Sequence, residues 1–109
     1  MMQAIRATNH TDANGNPTGG TATGTGIDIQ WQNGPLGRGI ERQEPNGAFV
    51  EGVIAAALQR IEWYQNASGG KFKCRENALA ITKLEEALHW LDHRTRAREA
   101  REVEGTHVP

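Results

Sequence analysis

The chain is short of cysteine, of net charge and of long apolar runs, and each shortage removes a class of explanation. Its one cysteine, Cys74, cannot form an internal disulfide, so no disulfide scaffold or oxidising compartment is implied. Twelve Lys and Arg against thirteen Asp and Glu leave a net charge of −1. A footprint on bulk DNA, RNA or anionic membrane needs a strongly basic balance, which is missing. No apolar run approaches the roughly 20 residues needed to span a bilayer, and the N-terminus has no apolar stretch of the kind a secretory signal carries. These absences predict a soluble protein of a reducing cytosol with no nucleic-acid or membrane partner. The glycosylation patterns at Asn9-His10-Thr11 and Asn66-Ala67-Ser68 would go unused in that compartment.

Catalytic groupings are missing too. His89 and His93 stand four apart on a helical stretch, a spacing that can hold a metal, but no third ligand or glutamate base accompanies them. Cys74 has no histidine placed by sequence as its base and reads as a small buried apolar residue. The glycines of "GGTATGTG" lack the lysine and following helix of a phosphate-binding loop. The expectation is a binding protein, not an enzyme, with no cofactor and no metal.

What is present divides at about Pro45. Residues 7–26 are rich in glycine, threonine and asparagine, which favour turns, and read as loop or irregular hairpin. Flanking them are short strand candidates, Met2 to Arg6 and "GIDIQWQ". In the latter, Ile27, Ile29 and Trp31 alternate with Asp28, Gln30 and Gln32, which predicts one buried face. Leu36 to Gln43 is a further short strand candidate between turn signals at Asn33-Gly34-Pro35 and Pro45-Asn46-Gly47.

From Asn46, a candidate helix cap, the period changes from 2 to 3.6. Val50, Ile54, Ala57, Ile61 and Tyr64 then share one face of a helix running to about Gln65. "NASGGK" breaks it. A second helix from about Cys74 to Arg101 carries the seam Asn77, Ile81, Leu84, Leu88, Leu91, Thr95 and Arg98. The fold class predicted is α+β, a small N-terminal antiparallel β-sheet (residues 1–45) followed by a long antiparallel two-helix hairpin with its tail (46–109), one compact domain overall. Two helices cannot bury two apolar stripes plus Trp63 and Trp90 in so small a chain, so a homo-oligomer is expected.

Arg94, Arg96, Arg98 and Arg101 crowd the end of the second helix. Arg94 and Arg98 lie one turn apart and can converge on one anion, and the planar guanidinium suits phosphate. The competing reading is a solvated tail in which the arginines complement the helix dipole and pair with Glu99, Glu102 and Glu104. Arg98 on the seam itself favours the first. "KFKCREN" opens the same helix with Lys71, Lys73, Phe72 and Asn77. The lysines and free N–H groups would attract phosphate, Phe72 could stack on a base and Asn77 pair with its edge, or Phe72 could simply staple the helix start.

The motifs "IQWQNGP", "NGAFVE", "CRENALAITKLEEALHWL", "RTRAR" and "VEGTH", in that order and spacing, resemble a phage-encoded Thoeris anti-defence family that shares a helical hairpin domain with phage anti-CBASS proteins. The resemblance covers about residues 19–107. It implies a sponge that sequesters cyclic nucleotide immune signals without degrading them: cyclic ADP-ribose isomers made from NAD by TIR-domain enzymes, and in many members CBASS cyclic oligonucleotides at separate sites. It further implies a dimer able to build a hexamer, acting in the cytoplasm of the infected bacterial host. By the same resemblance Arg94 and Arg98 match the family's phosphate ligands, Asn77 matches its asparagine, and Phe72 or Tyr64 fills the place of the aromatic that stacks on adenine. The alternative is a structural helical oligomerisation module with no small ligand.

Overall fold

A computed structural model describes residues 4–109. Three antiparallel strands, β1 (Arg6–Thr11), β2 (Pro17–Gly24) and β3 (Ile27–Gln30), form a sheet of order β1-β2-β3. Two helices follow, α1 (Val50–Asn66) and α2 (Arg75–Ala100). The described residues form two compact units, one of residues 4–49 with 99–109 and the other of residues 50–98.

In the sheet unit the glycine- and threonine-rich stretch takes the second of its two expected forms, an irregular hairpin of β1 and β2. Arg6 faces Thr23, Ala7 faces Ala22 and Thr8 faces Thr21, with the register shifting between Asn9 and Thr11. Threonines suit the pleat. The turn is built by Asp12, whose Oδ1 accepts the Asn14 and Asn16 amides at 2.8 and 3.0 Å. The Asn16 amide is the main reason that the Asp12 carboxyl sits below its ordinary pKa. The first strand therefore begins where Met2 to Arg6 was expected to end; Met2 and Gln3 lie outside the described residues. On β3 the alternation holds, with Ile27, Ile29 and Trp31 half-buried and Asp28 and Gln30 exposed.

Two expectations for the connecting segment are overturned. Leu36 to Gln43 is no strand but encloses a single 3-10 turn, Gly39–Glu41, because Gly37 and Gly39 adopt φ of 85° and 64°, which no extended ladder accommodates. Asn46 does not cap α1, which starts at Val50. Its side chain instead reaches Asn33: Oδ1 accepts the Asn33 amide at 2.8 Å and Nδ2 donates to the Asn33 carbonyl at 3.0 Å. Gly47 beside it lets Ala48 bridge to Trp31, since a Cβ there would lie 2.6 Å from the Trp31 carbonyl.

The C-terminal tail joins the same unit. Arg42 binds Glu104 with both terminal guanidinium nitrogens, at 2.6 and 3.0 Å, which raises the Arg42 pKa chiefly through these hydrogen bonds. The Gly37 amide donates to the Gly105 carbonyl at 2.8 Å. Gly105 has φ of 80°, and a Cβ on it would run into the Gly37 carbonyl. Gly105→Ala is expected to weaken this clasp by about 1–3 kcal/mol, read as faster amide exchange over residues 101–109 with protection in α1 unchanged.

In the helical unit, the sequence breaks α1 as expected. Asn66 Nδ2 caps the Glu62 carbonyl at 2.9 Å, and Ser68, Gly69 and Gly70 all take positive φ. Gln65 then latches the turn: its Oε1 accepts the Cys74 amide at 2.9 Å and its Nε2 donates to the Cys74 carbonyl at 3.2 Å. Cys74, expected buried, is exposed, because it stands just before α2 where its Sγ accepts the Asn77 amide at 3.4 Å in the manner of a cap. The half-buried stripe of α2 contains every residue of the expected seam, from Asn77 to Arg98.

The face of α1 is rotated from expectation. Val50, Ala57 and Tyr64 are exposed, and the covered row is Glu51, Ile54, Leu58, Ile61 and Gln65, a turn of about 60° about the helix axis. The polar residues at the two ends account for it: Gln65 is held by Cys74, and Glu51 pairs with Arg94 at 3.6 Å. That pair ties the start of α1 to the far end of α2, so the hairpin is antiparallel. Among the described residues no apolar side chain is fully buried, and Gln65 alone counts as buried. No described helix is long and apolar enough to cross a membrane.

Candidate functional site

The candidate residues fall at the two ends of the hairpin. Arg94 and Arg98 lie at the open end, one turn apart, about 6 Å along the axis. Tyr64, Phe72 and Asn77 lie at the hinge end. From Asn77 to Arg94 the helix rises about 25 Å, a span that no single pyrophosphate-bridged nucleotide covers. One chain therefore does not bring all five residues onto one small ligand.

At the open end the Arg94 side chain is 63% exposed, and that of its carboxylate neighbour Glu51 is 37% exposed. Arg98 is half-buried on the seam. Arg96 points away from the pair and is bound to Asp92 at 2.9 Å along its own helix, which is the solvated-tail arrangement. Arg101 donates to the Pro109 carbonyl at 3.0 Å. The four arginines thus separate into Arg94 and Arg98, one turn apart beside the seam, and Arg96 and Arg101, whose contacts lie away from it. Glu51 was not singled out by sequence reasoning, although "NGAFVE" contains it. Antiparallel pairing of the helices is what puts it beside Arg94.

At the hinge end three aromatics are exposed, Trp63, Tyr64 and Phe72. The Arg60 guanidinium lies 4.7 Å from the Trp63 ring centre and 4.9 Å from that of Tyr64, and it donates to the Tyr64 hydroxyl at 3.3 Å. Trp63 and Tyr64 meet edge to face at 5.2 Å. Trp63 also lines a groove of about 340 Å³ with Gln59, Glu62, Asn66 and Ala67. Phe72 carries Lys71 over its ring at 5.4 Å. An aromatic with a cation on one face can still take a flat base on the other. Trp63 was weighed in the sequence only as surface needing cover, so its place in this groove is new.

His89 and His93 flank Trp90 edge to face at 6.0 and 5.9 Å. Their imidazoles pack on the indole of an exposed face.

Residues 24–96 match the family described as Acb2/Tad1, hairpin domain. The chain is also 48% identical over 79 residues to Thoeris anti-defense 1 of Bacillus phage SBSphiJ7, an alignment that covers 72% of this chain and 51% of that protein. The chain thus spans about half the length of the curated relative it matches.

Proposed function

The chain belongs to the Acb2/Tad1 hairpin-domain family, and on that premise we propose that it is a phage anti-defence protein acting inside the infected bacterium. Its proposed action is to bind cyclic ADP-ribose isomers, the signals of Thoeris TIR enzymes, and withhold them without cleavage. The observation that carries the reading is the Arg94 and Arg98 pair on one flank of the α2 seam. Two guanidiniums one turn apart match the two phosphates of a pyrophosphate, each able to form paired charge-assisted hydrogen bonds. A cyclic ligand arrives rigid, so little ordering entropy opposes tight binding. CBASS cyclic oligonucleotides are a second proposed ligand class.

In this proposal the remaining site residues come from a second copy. Among the described residues no apolar side chain is fully buried, and Trp63, Phe72 and Trp90 are exposed. Uncovered apolar surface of this kind supports an assembly, proposed as a dimer able to build a hexamer. An antiparallel second copy would set the hinge end of one chain against the open end of the other. Asn77 and an aromatic from Tyr64, Phe72 or Trp63 would then join Arg94 and Arg98 around one ligand. The same surface also favours the second reading, a helical oligomerisation module with no ligand.

The two are separated by heating the purified protein with cyclic ADP-ribose isomers. A raised melting temperature and chromatographically intact ligand on denaturation are expected. No shift with any isomer would leave the module reading, and a hydrolysed product would make the protein an enzyme. Glu51 adds a finer expectation. Its carboxylate occupies Arg94 where a phosphate would bind, so Glu51→Gln should tighten cyclic ADP-ribose binding by about two- to fivefold, the range of an exposed ion pair, as read by calorimetry.

A further inference from the structure

Two of the motifs, "IQWQNGP" and "NGAFVE", are stitched to one another through residues 30–33 and 46–48, apart from the Glu51 that ends the second motif and pairs with Arg94. The Gln32 amide donates to the Ala48 carbonyl at 2.9 Å and the Ala48 amide to the Gln30 carbonyl at 2.7 Å. The Asn46 amide donates to Gln32 Oε1 at 2.8 Å, adding to the paired Asn33 and Asn46 bonds. The Trp31 amide closes onto the Gly20 carbonyl at 2.9 Å. This lattice spends backbone and side-chain amides to fix a wall that four strand residues alone would leave loose. A fixed wall is what a binding groove needs.

The wall borders an open groove of about 450 Å³ lined by His10, Thr18, Thr21, Gln30, Trp31 and Asn33, with Gly19 and Gly20 between them. Its lining contains no carboxylate, ammonium or guanidinium, in a chain that is 23% charged. Such a surface has nothing to neutralise a phosphate. It offers an indole, two hydroxyls, an imidazole and amides, donors and acceptors mixed at short range. Those groups complement vicinal hydroxyls, each of which both donates and accepts, while an indole covers the C–H face of a ring. We propose that this groove is a second binding site, separate from the arginine pair, for an uncharged polyhydroxylated ring, a pentose or hexose. The ring can belong to a free saccharide or to a nucleoside, and the same groups would read either.

The three tryptophans provide the test, since each contributes one indole N–H signal. The intact protein is titrated with D-ribose, methyl glucoside and adenosine while all three indole signals are followed by NMR. The Trp31 signal should move saturably, with a midpoint of about millimolar for so small a ligand, while Trp63 and Trp90 stay still. Movement with methyl glucoside identifies a saccharide site, and movement with adenosine at lower concentration identifies a nucleoside site. Asn33→Ala keeps the backbone bonds to Asn46 and should weaken the titration about tenfold. Thr18→Val, of nearly equal volume, should weaken it as well with the amide spectrum of the sheet preserved. A Trp31 signal that none of the three compounds moves, or equal movement of all three indoles, overturns the proposal.

Discussion

Replacing Arg94 or Arg98 by alanine will lower affinity for cyclic ADP-ribose by about ten- to hundredfold, the range for losing a hydrogen-bonded charged partner. Replacing both will cost more than either, but less than the product of the two, because one pyrophosphate is shared between them. Calorimetry on the purified variants reads this, with circular dichroism confirming that the helices persist. Arg96→Ala is the internal control. Its guanidinium is held by Asp92 on its own helix and is largely exposed, so binding should be unchanged. Arg94→Lys should recover only part of the loss, because an ammonium cannot make the paired contact. If instead both alanine variants break up the assembly while the intact protein binds no nucleotide, the arginines serve only to hold copies together.

Gln65→Ala will cost about 2 kcal/mol of stability and lower the melting temperature by roughly 10 °C for a chain of this size. Gln65 is 8% exposed, and its amide answers both the N–H and the C=O of Cys74 across the hinge. Removing it leaves two backbone groups to be met by water and frees the turn at Ser68–Gly70. Gln65→Glu separates the two bonds. A carboxylate still accepts from the Cys74 amide but repels its carbonyl, so at neutral pH this variant should be no more stable than the alanine one. A melting temperature unchanged by either substitution would show that the turn holds without the latch.

The parts of this fold that could be read from sequence are those where one pattern has no rival. The α2 seam repeats over seven positions from Asn77 to Arg98, and each is half-buried. The α1 face was misplaced because Val50, Val53, Ala55, Ala56, Ala57 and Trp63 put apolar groups nearly all round that helix. Its rotation was settled by Glu51 and Gln65, polar residues whose partners lie far along the chain. The β1–β2 hairpin was legible only as an alternative to loop, because glycine and threonine carry no apolar pattern and a backbone ladder needs no apolar core to form. Asn46 looks locally like a cap, and only the approach of Asn33, thirteen residues earlier, shows otherwise. For the candidate site, Arg94 and Arg98 were legible from a four-residue spacing. Glu51 and the Trp63 groove were not, because both depend on how the helices face.

A chain in which a glutamine is the one buried side chain described also has a calorimetric signature. The heat capacity gained on unfolding comes from apolar surface passing into water, about 1.2–1.5 kcal/mol/K for an ordinary 100-residue domain. This chain by itself has less such surface to release than a domain with a fully buried core. Its stability curve alone would be flatter with temperature, and a heat-capacity increment at the ordinary value would include surface that copies cover for one another.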